Sequence, residues 1–136
     1  MPETPLFTAS FRGQSVTIRQ ATDIDYAAVA EPVARDAVSD VLDRWSGIAI
    51  GTSTTTPRVH VLGWRQFLQD VWITSPVVAR DPDVDLIRTW SGKVYLLGQP
   101  APPELDKDLR DHLHHALGVW GFEAIQEQSG PEPGRH

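Results

Sequence analysis

Residues 32–47 read PVARDAVSDVLDRWSG, and the fold turns on how this stretch is taken. Val33, Ala37, Val38, Val41, Leu42 and Trp45 recur at the 3.6-residue spacing of one helical face. Proline is tolerated in a helix's first turn, where its missing N–H is not needed, so Pro32 marks a start. Gly47 supplies a stop. The spacing therefore predicts a helix over about 32–46. On that helix Asp36, Asp40 and Asp43 form an acidic stripe beside the apolar face.

Upstream, Leu6 to Phe11 and Ser15 to Gln20 alternate in character around Arg12-Gly13-Gln14, the pattern of a β-hairpin with a glycine turn. Thr22 or Asp23 can cap a short helical turn at about 24–30. Downstream, Ile48 to Ile50 reads as a brief strand and 51–57 as a hydroxyl-rich loop. Arg58 to Leu62 reads as another strand. Trp64, Phe67, Leu68 and Val71 fit one face of a short helix, which makes 63–70 ambiguous. Val71 to Val78 is strand-like but interrupted by Pro76, as edge strands and bulges are. Asp81-Pro82-Asp83 marks a turn. Leu86 to Trp90 and Val94 to Leu97 flank Ser91-Gly92-Lys93 as a second hairpin.

A second long helix is expected over 103–120. It opens at Pro103, places Leu105, Leu109, Leu113, Ala116, Leu117 and Trp120 on one face, and ends at Gly121. Phe122 to Ile125 suits a last strand, and 126–136 is polar and rich in Pro and Gly, the composition of a frayed tail. Strands run on through hairpins instead of alternating with helices. The chain is therefore expected to be one α+β domain over 1–125. Its sheet should be mainly antiparallel and built from hairpins, with the helices at about 32–46 and 103–120 packed on one face.

Composition limits the functions open to the chain. At 136 residues, with 40% hydrophobic and 22% charged residues, it can build one ordinary core. It has no cysteine, which excludes disulfides, thiolate metal sites and cysteine nucleophiles. The net charge of −6, with basic residues scattered singly, argues against nucleic acid as a partner. Met1-Pro2-Glu3-Thr4-Pro5 lacks the pattern of a signal peptide, and no apolar run approaches the roughly 18 residues of a membrane span. The expected location is the cytoplasm. Arginine outnumbers lysine and asparagine is absent, a bias that suits a GC-rich bacterial or phage genome.

Several clusters are candidates for chemistry. Asp108, His112 and His115 lie along one side of the 103–120 helix at i,i+3 and i,i+4 spacings, where zinc or a similar divalent metal would find ligands. The competing reading is a solvated helix face whose histidines favour the C-terminal half. Asp81, Asp83 and Asp85 open like a calcium loop, but Leu86 and Gly92 stand where that loop requires glycine and glutamate. Ser75 lacks the glycine-flanked elbow of a hydrolase nucleophile.

The five tryptophans stand out. Trp45 and Trp120 close the apolar faces of the expected helices, Trp64 reads as half-buried, and Trp72 reads as core. Trp90 sits at the lip of a tight hairpin, with Arg88 close by. Tryptophan beside arginine is the composition of a protein-binding hot spot, whereas the bland alternative is a ring covering the sheet's edge. The leading expectation is a small non-enzymatic protein-binding domain of the bacterial or phage accessory or inhibitor kind. Its contacts would be Trp90, Arg88, Asp36, Asp40 and Asp43, and no cofactor is implied. One alternative is a metal-dependent hydrolase on Asp108, His112 and His115. The other is a small apolar-ligand pocket lined by Trp64, Phe67, Trp72 and Tyr95.

Overall fold

The computed structural model describes residues 5–35 and 38–128. From Val38 onward the decisive stretch is not a helix. Val38–Gly51 is a 14-residue strand, β3, well beyond the usual strand length. It pairs with β4 (Arg58–Arg65) along one edge. Its other edge is shared by two neighbours in succession. Residues 38–42 run parallel to β8 (Val94–Leu97), and 48–51 run antiparallel to β2 (Gln14–Gln20).

The helical spacing misled for a physical reason. Register shifts fall between Val38 and Asp40 and again between Asp43 and Ser46, so the two-residue alternation of a strand is broken twice. From Ile48 to Ile50 both faces are buried, which removes alternation altogether. At the second shift Arg44 adopts φ +49°, and the chain opposite is Gly63, where a Cβ would press on the Asp43 carbonyl and Trp45.

The remaining strands mostly follow the hairpin pattern. β1 (Phe7–Phe11) pairs with β2, and β9 (Glu123–Glu127) adds to β1. β4 turns at 66–69 into β5 (Asp70–Ile73), which resolves the ambiguous stretch as strand and turn. Pro76 separates β5 from β6 (Val77–Asp81), so the interrupted segment is two strands. β6, β7 (Leu86–Thr89) and β8 form a meander. The result is an α+β fold on one nine-stranded sheet, mixed because the β3–β8 pairing is parallel.

The described residues hold two helices, α1 (Asp23–Ala27) and α2 (Lys107–Val119), and they pack against different cores. α2 starts later than Pro103 because Asp106 is its cap, accepting from the Leu109 N–H at 3.0 Å. Its Leu109, Leu113, Ala116 and Leu117 enter a core with Phe7, Ile18, Ile48, Ile50, Leu62 and Ile73. Burying each leucine contributes roughly 1.5–3 kcal/mol. α1 serves a second core made by Leu42, Val59, Val61, Ile87, Tyr95 and Leu97, against which its Tyr26 packs. β4 feeds both, Val59 and Val61 entering one and Leu62 the other.

Tyr26 also lies across Gly47, where any Cβ would collide with its hydroxyl. Burial pushes that hydroxyl's pKa up to about 12, partly offset by Arg80, whose guanidinium lies 5.4 Å from the ring centre. Arg19 and Asp25 pair at 2.7 Å and fasten α1 to β2. At the C-terminal end, Gln126 and Glu127 belong to β9 and the Gln128 N–H bonds the Leu6 carbonyl, so the expected tail does not begin at 126. Residues 129–136 lie outside the described residues. Among the described residues no helix is long and apolar enough to cross a membrane.

Asp40 holds β3 to the β4–β5 turn. The residue is 2% exposed, and Oδ1 accepts from the Val41 N–H at 2.6 Å and the Phe67 N–H at 2.9 Å. Removing such an acceptor strands buried donors. Asp40→Ala should cost about 2 kcal/mol, a fall of roughly 6–12 °C in melting temperature at this chain length. Asp40→Asn should fall less, because Oδ2 has no hydrogen-bond partner to lose. A melting temperature for Asp40→Ala within about 1 °C of wild type would show that the carboxylate does not hold the turn.

Candidate functional site

The β7–β8 hairpin places Trp90 at its tip with 78% of its surface exposed. Its backbone is nevertheless tightly held. The Trp90 N–H bonds the Pro76 carbonyl at 2.7 Å, the Thr89 N–H bonds the Lys93 carbonyl at 2.9 Å, and the Gly92 N–H returns to the Thr89 carbonyl at 2.8 Å. Gly92 is required here, since its φ is +90°. A chain of hydroxyls reinforces the turn. Thr89 Oγ1 lies 3.0 Å from Ser91 Oγ, Ser75 Oγ donates to Ser91 Oγ at 3.1 Å, and the Ser91 N–H reaches Ser75 Oγ at 3.3 Å. Thr89 is buried and anchors this network. An apolar ring is thus displayed to water on a backbone with little freedom left.

The other residues expected at this contact do not gather around Trp90. Arg88 donates to Glu31 at 3.1 Å, a partly exposed pair of the kind that contributes little to stability. The acidic stripe is dissolved, because residues three apart on a strand do not share a face as they do on a helix. Asp40 is buried, as described above. Asp43 is turned to neighbouring chain, accepting from the Gln99 N–H at 3.0 Å and from the Gln66 side chain. Asp36 lies outside the described residues.

The candidate metal ligands differ in their exposure. Asp108 and His115 are exposed on α2, while His112 is half-buried towards β5. Burial pushes the His112 pKa below its ordinary value, the neighbouring His115 adds to that, and Asp70 opposes it. Among the described residues no group of three or more His, Asp or Glu side chains is placed to hold a metal ion.

The four residues expected to line an apolar pocket part company as well. Tyr95 is buried, Trp64 half-buried, and Phe67 exposed on the β4–β5 turn beside the equally exposed Leu68. Trp72 is 37% exposed instead of core, with the Arg65 guanidinium 4.0 Å from its ring centre. A groove of about 300 Å³ lies elsewhere, between Thr17, Arg19, Ala49 and the 51–57 loop. The loop's threonines are bonded to one another across it, Thr52 Oγ1 to Thr55 Oγ1 at 2.8 Å.

The hydroxyl network that stiffens the Trp90 turn was not legible in the sequence. Its members stand at positions 75, 89 and 91, the first ahead of β6 and the others at the end of β7 and in the turn after it. The repeated Ser and Thr near the hairpin gave no sign of which of them would meet. Comparison with protein-family models, with curated proteins and with solved structures returned no match.

The geometry separates display from packing among the tryptophans. Trp45 packs on the second core and its indole N–H donates to the Gly98 carbonyl at 3.0 Å. Trp45→Ala should therefore cost about 3 kcal/mol or more. Trp90→Ala should move the melting temperature by no more than about 2 °C, as exposed substitutions do. A drop at Trp90 comparable to that at Trp45 would mean that the tip ring is structural.

Proposed function

We propose that this chain is a protein-binding domain whose principal contact is the Trp90 hairpin tip. One observation supports the reading above the rest: a large aromatic ring is exposed on a turn that hydrogen bonds already hold in place. Exposing an indole leaves apolar area in water, a cost that burial at an interface would recover. Because the tip backbone is ordered beforehand, association loses little conformational entropy there. Tryptophan at the centre of an interface is also the residue type whose truncation costs most.

Lys93 closes the same turn and adds a positive charge beside the ring on a chain of net negative charge. Phe67 and Leu68 give a second exposed apolar point on the β4–β5 turn. Asp40 and Asp43 are not part of this contact, since both are engaged within the fold. The accessory or inhibitor role suited to a bacterial or phage protein is the variant of this reading that the composition favours.

Parallel capture with immobilised wild-type and Trp90→Ala protein from the native host tests the proposal. A hot-spot tryptophan contributes about 2 kcal/mol or more, which is roughly a thirtyfold change in affinity. Proteins retained by wild type and lost by the variant, with both variants equally folded, are the expected result. Identical retained sets at equal abundance would remove Trp90 from the interface and the proposal with it.

A further inference from the structure

The contact reading leaves unused a buried histidine beneath the end of α2. His60 lies on β4, opposite Ile48 of β3, and is 7% exposed. Its Nδ1 lies 2.8 Å from the Thr74 carbonyl. A carbonyl accepts, so Nδ1 carries the proton and Nε2 is the basic nitrogen. That carbonyl is the ring's one hydrogen-bond partner among the described residues. The Trp120 ring stacks over the imidazole, with centroids 4.9 Å apart and planes 29° from parallel.

Trp120 is the C-cap of α2, its N–H bonded to the Ala116 carbonyl at 2.9 Å. The chain then leaves the helix through Gly121 at φ +95°, and the Phe122 N–H closes on the Leu117 carbonyl at 3.0 Å. Trp120 therefore joins three things: the helix end, the glycine exit and the buried histidine. It is itself 36% exposed.

The surroundings of the ring suit a neutral imidazole. Burial pushes the His60 pKa below its ordinary value, the Thr74 carbonyl pulls it back in part, and Arg58 on the same strand lowers it further. β3 and the end of β5 bring Ile48 and Thr74, both uncharged. α2 brings His114, whose ring lies against Phe7, and the exposed His115, and Glu123 opens β9 beyond the glycine exit. A stacked indole face attracts a cation to some degree, but it does not replace the water that a buried imidazolium loses.

We propose that the His60–Trp120 stack is an acid-sensitive latch: protonation of His60 displaces Trp120 and frees the last turn of α2. Trp120 is the partner that yields because its own ring is partly open to water. Its departure unseats Ala116 and Leu117 from the first core, so acid exposes an apolar strip that is closed at neutral pH. The sign follows from the depressed pKa. The stabilisation from neutral His60 is full above the ordinary histidine value of about 6.5, and it is lost as pH falls through the lower folded value.

Hydrogen exchange of the full chain, corrected for the intrinsic pH dependence of exchange, reads the latch directly. Protection of amides 113–122 should fall by about tenfold or more between pH 7.5 and pH 5, while the β1–β2 hairpin keeps its protection. His60→Phe preserves an aromatic ring under Trp120 and cannot titrate, so it should abolish the difference. If that variant does not fold, wild type alone decides. The midpoint of the His60 imidazole chemical-shift titration should coincide with the midpoint of the loss of protection in α2. Unchanged protection in wild type, the same loss in His60→Phe, or midpoints more than about one pH unit apart would each overturn the proposal.

Discussion

β3 has two edges and three partner strands, and that sharing sets the layout of the whole molecule. Its N-terminal part carries β8 and, through it, β7 and β6. Its C-terminal part carries β2, β1 and β9. β4 runs along the opposite edge and ties the two parts together. The transition lies at residues 43–46, where the strand bulges and Arg44 takes a left-handed backbone. There the 98–101 segment fills the edge, with the Trp45 N–H on the Gln99 carbonyl and the Ala101 N–H on the Trp45 carbonyl. Each core belongs mainly to one half of the sheet, and β3 and β4 each supply residues to both.

The displayed tip depends on this arrangement at one remove. The β6–β7–β8 meander is joined to the rest of the sheet by the parallel pairing of residues 38–42 with β8. Its outer edge is blunted by the 29–31 segment, where the Arg80 N–H bonds the Val29 carbonyl and the Glu31 N–H bonds the Arg80 carbonyl. With one side fixed to β3 and the other covered, the hairpin end facing Ser75 and Pro76 is the part that projects. Trp90 therefore sits on a supported protrusion, not on a loose loop. The His60–Trp120 stack lies at the end of α2, on different elements from the tip, so the two proposals can be tested separately.

Much of this was readable from residue patterns. The β1–β2 and β7–β8 hairpins followed from their glycine turns and alternating arms, and α2 from its leucine spacing and Gly121. What failed was the central strand. Val38, Val41, Leu42 and Trp45 satisfy a helical period because two register shifts displaced them from a strand period, and nothing in the residues announces a register shift. The error then moved Asp40 and Asp43 to a solvated face, when one is buried and the other is turned to the 98–99 backbone. Trp72 was misplaced for a related reason. Its strand is short and peripheral, so its outward face is open, and Arg65 covers the ring in place of a core. The exposure of Trp90 was one of two readings the hairpin allowed, and the Ser75 hydroxyl that helps fix its turn comes from a segment fifteen residues away.

The pairing of β3 with β8, β2 and β4 can be measured without any partner or ligand. Backbone assignment by NMR should give extended-chain carbon shifts over residues 38–51. Interstrand contacts should join Asp40 to Tyr95, Ile48 to His60 and Ile50 to Ile18. Helical shifts over 33–45, with contacts between residues three and four apart, would contradict the account at its root.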